Sequence, residues 1–374
     1  MKGGLRMSGR KRLFILFFAA IVCLSGCGSL NFTSAEPPEI VSFDGSSIGD
    51  RMPTCTANPA LAEQLRAAIM EQRDATVRGW ELDTVTACLD ELMALPDYFW
   101  FRGYHVQATT GLRTEAEISF TWLYDDGPAK YVSMCRKADE ILAAAPWAGD
   151  YSVALYVHDW LATHVTYADV EGYDQTAYAA ICEGSAVCGG IADAFAFLLN
   201  RAGIPACTVT GSAVQEGETL THAWNFAELD GAVYAFDLTW DNTDRYDAYG
   251  GEYVCHSWFA VTSRELNTAH TAERPQDEIA AVSNADNYFI RQSALVTDDS
   301  VNAVVAAFEP QLAAGSNTLT LRCADRTVYD ALCFRLFELQ EISPVLKRLG
   351  VYSGGSYELT YTQQDDLFII TLYL

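Results

Sequence analysis

Positive charge is scarce in this chain of 374 residues, where 24 lysines and arginines stand against 49 aspartates and glutamates, a formal net charge of −25. A surface that follows nucleic-acid phosphates needs a positive field, so this balance excludes nucleic-acid binding of that kind. Proline (11 residues) and glycine (26) are few, and 50% of the residues are hydrophobic. This composition excludes a disordered or collagen-like chain and indicates a folded protein of roughly two or three domains.

Long hydrophobic runs are missing as well. The N-terminal apolar run, Leu13 to Leu24, is too short to cross a bilayer, which takes about 20 residues. It follows a segment that is basic and contains no acidic residue, and small residues come after it. This order is typical of a secretion signal.

The run ends in Leu24-Ser25-Gly26-Cys27, which resembles the lipobox of bacterial lipoproteins, where the cysteine is lipidated and becomes the new N-terminus. The resemblance implies a signal peptide over residues 1–26, lipidation of Cys27 and an extracytoplasmic protein anchored by lipid to a bacterial cell membrane. Ordinary secretion with an incidental Cys27, or an uncleaved anchor, remains the alternative.

The eleven cysteines show no CxxC pair and no clustered Cys/His spacing. We therefore predict no metal site, and nothing in the sequence indicates a cofactor. An exported chain can oxidise cysteines in pairs, but their scatter specifies no disulfide framework, and buried free thiols are favoured for most of them.

The order of elements predicts an α+β protein. Helices are predicted from Asn58-Pro59, up to Leu95-Pro96, and over Tyr151–Val165, and strands at the aromatic run 98–101 and around Ile118–Trp122. In the C-terminal region the pattern predicts a strand near Tyr288, a helix Val301–Leu312, a strand Thr318–Arg322, a helix Val328–Leu339 and a hairpin of Tyr357–Thr362 with Leu367–Tyr373. The predicted organisation is a signal peptide 1–26, a linker 27–57, an N-terminal α+β region 58–149, a central domain 150–262, a linker 263–285 and a small α+β domain 286–374.

Cys188 lies in the segment GSAVCGGIA (184–192), directly before apolar residues that recur at helical spacing until Gly203. A thiol at a helix start meets the positive end of the helix dipole and unpaired N–H groups, which favour the nucleophilic thiolate. Gly189 and Gly190 leave room for a substrate backbone. Cys188 is therefore the candidate nucleophile.

The segment THAWN (221–225) leads through Asp230-Gly231 into a second β-rich run that ends in FDLTW (236–240). Asp-Gly between two such runs predicts a two-residue hairpin loop, in which Leu229 faces Ala232. Continued along both strands, this register puts His222 opposite Thr239 and Asp237 opposite Trp224. His222 and Asp237 would then be diagonal neighbours on one face.

Asp237 would hold the imidazole of His222, whose other nitrogen would take the proton of Cys188. The thiolate would attack a carbonyl to give a thioester, with the backbone N–H of Cys188 as an oxyanion donor. On spacing alone, a buried polar pair and an unrelated cysteine explain these residues equally well.

Four motifs, together with HDWL (158–161) and VTY (165–167), resemble the transglutaminase-like superfamily of papain-like cysteine enzymes over about residues 150–245. These are GSAVCGGIADAF (184–195), LNRAGIPA (199–206), HAWN (222–225) and FDLTWD (236–241). The resemblance implies a transglutaminase-like core in which a nucleophile helix packs on an antiparallel sheet. It carries the roles of nucleophile, base and orienting acid onto Cys188, His222 and Asp237.

The sequence departs from the family at the oxyanion donor. The glutamine that papain-like proteases have six residues before the nucleophile is Cys182 here, and the tryptophan that follows the cysteine in animal transglutaminases is Gly189. The side-chain donor is therefore left open, and no acidic loop is laid out as a calcium site.

These observations predict a cell-surface cysteine enzyme that acts on peptide or amide carbonyls of proteins or peptides, preferably by hydrolysis as a peptidase or amidase. A protein cross-linking transglutaminase and a non-catalytic envelope binding module are the alternatives. The oligomeric state is not predicted.

Overall fold

The computed structural model describes residues 58–109, 115–168, 175–215, 217–242, 254–273, 279–353 and 358–374, together with the backbone of a short strand, β1 (Arg6–Gly9). Apart from that strand, the predicted signal peptide, the lipidation site Cys27 and the linker 27–57 lie outside the described residues. Two compact units are present. One takes its described residues from Cys23–Asp244 and Trp258–Ser283, and the other from Met1–Val22, Arg245–Ser257 and Asn284–Leu374.

The larger unit begins with α1 (Pro59–Met70), β2 (Ala75–Arg78), α2 (Leu82–Met93), β3 (Phe101–Thr109), β4 (Glu115–Trp122) and α3 (Gly127–Ala143). The strands form an antiparallel sheet in the order β2-β4-β3. Asn58 caps α1, accepting a hydrogen bond from the N–H of Ala60 at 3.1 Å, as the Asn-Pro pair predicted.

The aromatic run 98–101 is not a strand throughout, which corrects the prediction. Pro96–Tyr98 form a 3₁₀ turn and β3 begins only at Phe101. Trp100 is fully buried, and a Cβ on Gly127 would come within 2.1 Å of its ring. Packing of Trp100 against the start of α3 therefore overrides the strand propensity of this run.

The centre of the larger unit contains α4 (Asp150–His164), β5 (Thr166–Tyr167), a π-helical turn (Ala179–Glu183), β6 (Ser185–Ala186) and α5 (Cys188–Arg201). Then follow β7 (Ala206–Gln215), β8 (Glu218–Leu229), β9 (Ala232–Phe236), α6 (Leu238–Asp241), α7 (Ser263–Leu266) and β10 (His270–Ala272). The sheet order is β10-β7-β8-β9, all antiparallel, and α5 packs on β7 and β8.

Composition indicated a connector over residues 263–285, but the structure places α7 and β10 there. β10 pairs with β7, with His270 opposite Ala213, so this segment adds the edge strand of the central sheet. The larger unit therefore takes a histidine from a part of the chain in which the sequence shows no motif.

The smaller unit contains α8 (Tyr288–Arg291), β11 (Leu295–Val296), α9 (Val301–Ala313), β12 (Thr318–Cys323), α10 (Arg326–Cys333), a π-helical turn (Phe334–Glu338), α11 (Ile342–Arg348), β13 (Glu358–Gln364) and β14 (Ile369–Tyr373). Its sheet has the order β1-β13-β14-β12-β11. Phe308, Leu321 and Ile370 lie in its buried core.

Two predictions for this unit are corrected. The strand expected near Tyr288 is a short helix, because the side chain of Asn287 accepts a hydrogen bond from the N–H of Phe289 and caps a helical turn. The helix expected over Val328–Leu339 begins at Arg326, capped by Asp325, and loses its α-helical pattern after Cys333. Among the described residues, no helix is both long and apolar enough to span a membrane.

Candidate active site

Cys188 is the first residue of α5, and its side chain is half-buried. Val187 occupies the N-cap position and has no side-chain oxygen with which to cap the helix. The first N–H groups of α5 therefore remain available to an oxyanion or a thiolate, and the helix dipole favours negative charge there.

Asn225 of β8 holds this helix on the sheet. Its Nδ2 donates to the carbonyl oxygen of Ala192 in α5 at 2.8 Å and to that of Cys207 in β7 at 3.0 Å. Buried hydrogen bonds of this kind fix the relative position of the elements they join. Because His222 lies on the same strand as Asn225, the position of Cys188 at the start of α5 is tied to that of the imidazole.

The hairpin that carries His222 has the predicted two-residue loop. Asp230 and Gly231 both have positive φ (49° and 85°), and Leu229 pairs with Ala232. The ladder then ends at the pair Asn225 and Phe236.

The expected continuation of this register is therefore wrong, since Asp237 does not lie opposite Trp224 in the ladder. His222 pairs with Gly211 of β7, and Thr239 belongs to α6. Asp237 is instead the N-cap of α6, where its Oδ1 accepts a hydrogen bond from the N–H of Trp240 at 3.1 Å. The helix cap, and not the strand register, therefore orients the other carboxylate oxygen, Oδ2.

That second oxygen, Oδ2, lies 2.7 Å from Nε2 of His222. Both side chains are buried, with His222 6% and Asp237 1% exposed. Nε2 faces a carboxylate, so it must carry a proton to form this bond, and Nδ1 is left for Cys188.

Two opposing effects set the charge of this pair. Burial disfavours the imidazolium, but the negative charge and hydrogen bond of Asp237, followed by those of Cys188, outweigh it and raise the pKa of His222 to about 10. Burial likewise opposes the carboxylate, yet His222 and then His270 hold the pKa of Asp237 below its usual range. The site therefore keeps an ionised Asp237 beside a protonated His222 at neutral pH.

Tryptophans surround the histidine. The rings of His222 and Trp240 stack with centroids 5.3 Å apart and planes 26° apart, and Trp224 lies beyond at 6.4 Å. Such rings keep water from the hydrogen bond between His222 and Asp237, so that bond is electrostatically stronger than it would be in solvent. Trp224 and Trp240 thus pack around the candidate triad.

A second histidine reaches the same carboxylate oxygen. Nε2 of His270, on β10, lies 2.9 Å from Oδ2 of Asp237, and its Nδ1 lies 3.1 Å from the carbonyl oxygen of Leu266. Sequence reasoning missed His270 because only the pairing of β10 with β7 brings it to the site. The donor atoms of His222, Asp237 and His270 lie within 4.8 Å of one another, so this group could also hold a divalent cation.

At the far end of α6, Asp241 binds another buried histidine. Its Oδ2 lies 3.3 Å from Nε2 of His158, and it accepts the N–H of Trp258 at 2.9 Å. Burial opposes protonation of His158, but Asp159 and Asp241 raise its pKa to about 9. This ion pair ties α4 to α6 and supports the turn that carries Asp237.

Gln175 lies against Gly189, the residue that follows Cys188. A Cβ on Gly189 would come 2.6 Å from Oε1 of Gln175, so the carboxamide of Gln175 occupies the space at Gly189 that the sequence suggested for a substrate backbone. Cys182 stands at the position where papain-like proteases have their glutamine, and the residue as a whole is exposed. Its thiol group is nevertheless partly buried, and this raises the pKa of the thiol to about 11. A carboxamide thus lies beside Gly189, the residue after Cys188, but it comes from fourteen residues upstream of Gly189, a spacing with no sequence signal.

Residues 138–244 match the family model of the transglutaminase-like superfamily. This segment is a transglutaminase-like domain. The predicted α+β fold with a transglutaminase-like core is confirmed. The superfamily consists mostly of cysteine-dependent enzymes. No curated protein matches the chain.

Solved structures similar to this chain include a TGase, with 17% identity and a TM-score of 0.26 over 37% of this chain and 44% of that one. A candidate cysteine protease from Cytophaga hutchinsonii has 14% identity and a TM-score of 0.25 over 44% and 64% of the two chains. A candidate protease from Parabacteroides distasonis has 11% identity and a TM-score of 0.21 over 36% of each. The chain spans less than two thirds of the length of each of these structures.

Proposed function

We propose that the transglutaminase-like domain is a thiol-dependent hydrolase of peptide or amide bonds, with Cys188 as nucleophile, His222 as base and acid, and Asp237 as the residue that orients His222. The observation that carries the proposal is the engagement of His222 on two sides. Its Nε2 lies 2.7 Å from Oδ2 of Asp237. A hydrogen bond with Cys188, at the start of α5, also helps to raise its pKa. A nucleophile, a base and an orienting acid in this order are the requirements of covalent acyl catalysis.

In the first half of the reaction, the Cys188 sulfur forms a bond to the carbonyl carbon while His222 holds the proton taken from the thiol. The imidazolium then gives that proton to the departing amine nitrogen as the carbon–nitrogen bond breaks. The product is a thioester on Cys188 and a free amine, and His222 is left neutral and ready to act as a base.

The oxyanion that forms during attack needs hydrogen-bond donors. The N–H groups at the start of α5 would supply one kind, and the Nε2 amide group of Gln175, whose side chain lies against Gly189, would supply the other. Gln175 would thus fill the role that Cys182 cannot.

In the second half, His222 takes a proton from water, whose oxygen attacks the thioester carbon. The carbon–sulfur bond breaks, the acid product leaves, and the thiolate–imidazolium pair is restored. A primary amine in place of water would give an amide and thereby protein cross-linking.

We further propose that the chain works outside the cytoplasm, held at the membrane by lipid on Cys27, on protein or peptide substrates. The basic segment, the short apolar run and Leu24-Ser25-Gly26-Cys27 support this location. Expression in a bacterial host with Cys27→Ser as the control tests it. Loss of membrane fractionation and of acyl labelling is expected in the variant, whereas an unchanged distribution would contradict lipidation.

The activity is tested by incubating the protein with a peptide library and, separately, with a glutamine-donor peptide and a fluorescent primary amine. Cleavage and a thioester on Cys188 detected by mass spectrometry are expected, with Cys188→Ser inactive and Cys182→Ser active. Amine incorporation without cleavage would replace hydrolysis with cross-linking. No turnover, together with a Cys188 that alkylates no faster than Cys182, would favour a binding module.

A further inference from the structure

His270 adds a third ligand atom to the buried pair that the proposed reaction uses. Its Nε2 lies 2.9 Å from Oδ2 of Asp237, and Nε2 of His222 lies 2.7 Å from the same oxygen. The ligand atoms of the three residues lie within 4.8 Å of one another, and all three residues are buried. Hydrolysis through Cys188 needs only His222 and Asp237 of this group, so the reaction gives no role to His270.

Two imidazoles and one carboxylate form a set of ligands typical of zinc. Zinc binds nitrogen and oxygen at about 2.0–2.2 Å in a tetrahedral arrangement, and three protein ligands leave its fourth position open. Calcium and magnesium prefer a shell made of oxygen atoms, which this group does not supply. Ligand atoms on a tetrahedral zinc ion stand about 3.3 Å apart. Moving each Nε2 away from Oδ2 by roughly half an ångström would therefore admit the ion in place of the two hydrogen bonds.

Hydrogen bonds on the far sides of His270 and Asp237 orient their ligand atoms. Nδ1 of His270 lies 3.1 Å from the carbonyl oxygen of Leu266, and Oδ1 of Asp237 accepts the N–H of Trp240 at 3.1 Å. Histidines that bind metals in proteins almost always have such a partner at the second ring nitrogen, and a backbone carbonyl is a common one. Nε2 of His270 and Oδ2 of Asp237 are thus directed at each other, and His222 completes the set.

The surroundings of His270 form an apolar wall on one side and a cavity on another. The residue is 2% exposed, and its ring lies against three tryptophans, of which Trp240 is nearest at 4.6 Å between centroids. Apolar walls of this kind control the access of water to a metal site. His270 also lines a cavity of about 180 Å³ together with the exposed residues Asn267 and Thr271. This cavity gives an ion a route from solvent to the ring, and the net charge of −25 favours the approach of cations.

We propose that His222, Asp237 and His270 form a zinc site whose occupation inhibits the reaction proposed above. The inference rests on the proposed function for this consequence, but zinc binding is measurable without any turnover. Zinc at Nε2 of His222 replaces the hydrogen bond from that nitrogen to Asp237, which is the contact that orients the ring. A positive ion on one nitrogen also repels the proton that the other nitrogen would take from the thiol of Cys188.

Binding is tested by isothermal titration calorimetry of zinc chloride into the full chain, freed of metal with EDTA, at about pH 8. A site for one zinc ion per chain is expected. His270→Gln, shown by circular dichroism to be folded, should weaken binding about 100-fold or more, because a carboxamide is not among the usual zinc ligands. His164→Gln is the matched control, since it removes an exposed histidine outside this group, and it should bind as the unaltered protein does. No zinc binding by the unaltered protein, or equal binding by His270→Gln, would overturn the proposal.

Zinc also binds thiolates, so a site on Cys188 has to be distinguished from the proposed one. Cys188→Ser should bind zinc as tightly as the unaltered protein. In the unaltered protein, Co²⁺ in place of zinc should give the visible absorption of a four-coordinate ion without the near-ultraviolet band of a cobalt–thiolate bond. This spectrum tests the ligands even where His270→Gln does not fold. Loss of zinc binding in Cys188→Ser, or a cobalt–thiolate band, would place the metal on Cys188 and overturn the proposal.

The inhibition is measured as alkylation of Cys188 by iodoacetamide at about pH 7.5. Stoichiometric zinc should slow this alkylation about tenfold or more in the unaltered protein, and EDTA should restore it. His270→Gln should keep its own zinc-free rate at the same zinc concentration, and equal slowing in both proteins would overturn the proposal. A Cys188 that reacts no faster than Cys182 in the metal-free protein would instead refute the proposed function and leave the zinc binding standing.

Discussion

Replacing Asp237 by asparagine removes one negative charge from the candidate site while keeping the size of the side chain. In the unaltered protein the pKa of His222 is about 10, with Asp237 as the main contributor that raises it. At pH 7.5 the imidazolium form of His222 therefore predominates over the neutral ring. The imidazolium that would pair with a Cys188 thiolate is therefore present under these conditions.

Without the charge of Asp237, the burial that lowers the pKa of His222 is no longer outweighed. The pKa should fall to about 6.5 or below, so that about a tenth of the rings at most are protonated at pH 7.5. We expect the population of the ion pair, and with it the rate at which iodoacetamide alkylates Cys188, to fall about tenfold or more. Peptide cleavage should fall further, by on the order of 10⁴, because the ring is also misoriented.

The assay is alkylation followed by digestion and mass spectrometry between about pH 5.5 and 9.5, read at the Cys188 peptide. Cys182 is an internal reference because it is exposed and its pKa is raised to about 11. Asp241→Asn is the matched control, since it removes a buried aspartate that binds His158 and not His222. If Cys188 keeps its rate in Asp237→Asn, or loses it equally in both variants, the reasoning is refuted.

The interaction of His222 with Asp237 also predicts how stability depends on pH. Because its folded-state pKa is raised, His222 contributes stability that is full below about pH 6.5 and is lost as the pH rises through about 10. Melting temperatures of the unaltered protein and of His222→Gln should therefore converge toward pH 10. A constant difference between them across that range would contradict it.

Three further changes test the surrounding residues. Gln175→Ala should lower turnover about 100-fold and leave alkylation of Cys188 unchanged, because an oxyanion donor acts only on the substrate. An equal loss of turnover and of alkylation would show that Gln175 is not an oxyanion donor. Asn225→Ala should lower the free energy of unfolding by about 2–4 kcal/mol, measured in urea, since two carbonyls lose their buried donor; a loss below 1 kcal/mol would show that water replaces it. Burial raises the pKa of Asp193 to about 7. Asp193→Asn should therefore stabilise the protein by about 2 kcal/mol above pH 7 and have no effect on stability below about pH 4. A difference in thermal unfolding that does not change with pH would contradict this.

The local patterns of the sequence predicted the parts of the site that depend on neighbouring residues. The helical repeat after Cys188 and the stop at Gly203 place α5 where the structure has it, and Asp230-Gly231 specifies the hairpin loop. They failed where a longer-range contact decides, as at Trp100, whose burial against Gly127 breaks the expected strand. They also failed at Asp237, which caps a helix where the expected register continued the pairing of β8 with β9.

The sequence by itself predicted the class of the central domain, the candidate nucleophile at a helix start and the histidine and acid on either side of one turn, because helical period, hairpin chemistry and motif spacing are all short-range properties. Only the tertiary structure decided that the acid is aimed by a helix cap, that His270 shares its oxygen, and that Gln175 lies beside Gly189. The contact of His270 with Asp237 and that of Gln175 with Gly189 join residues 33 and 14 positions apart, and such pairings depend on packing that leaves no periodic trace in the chain.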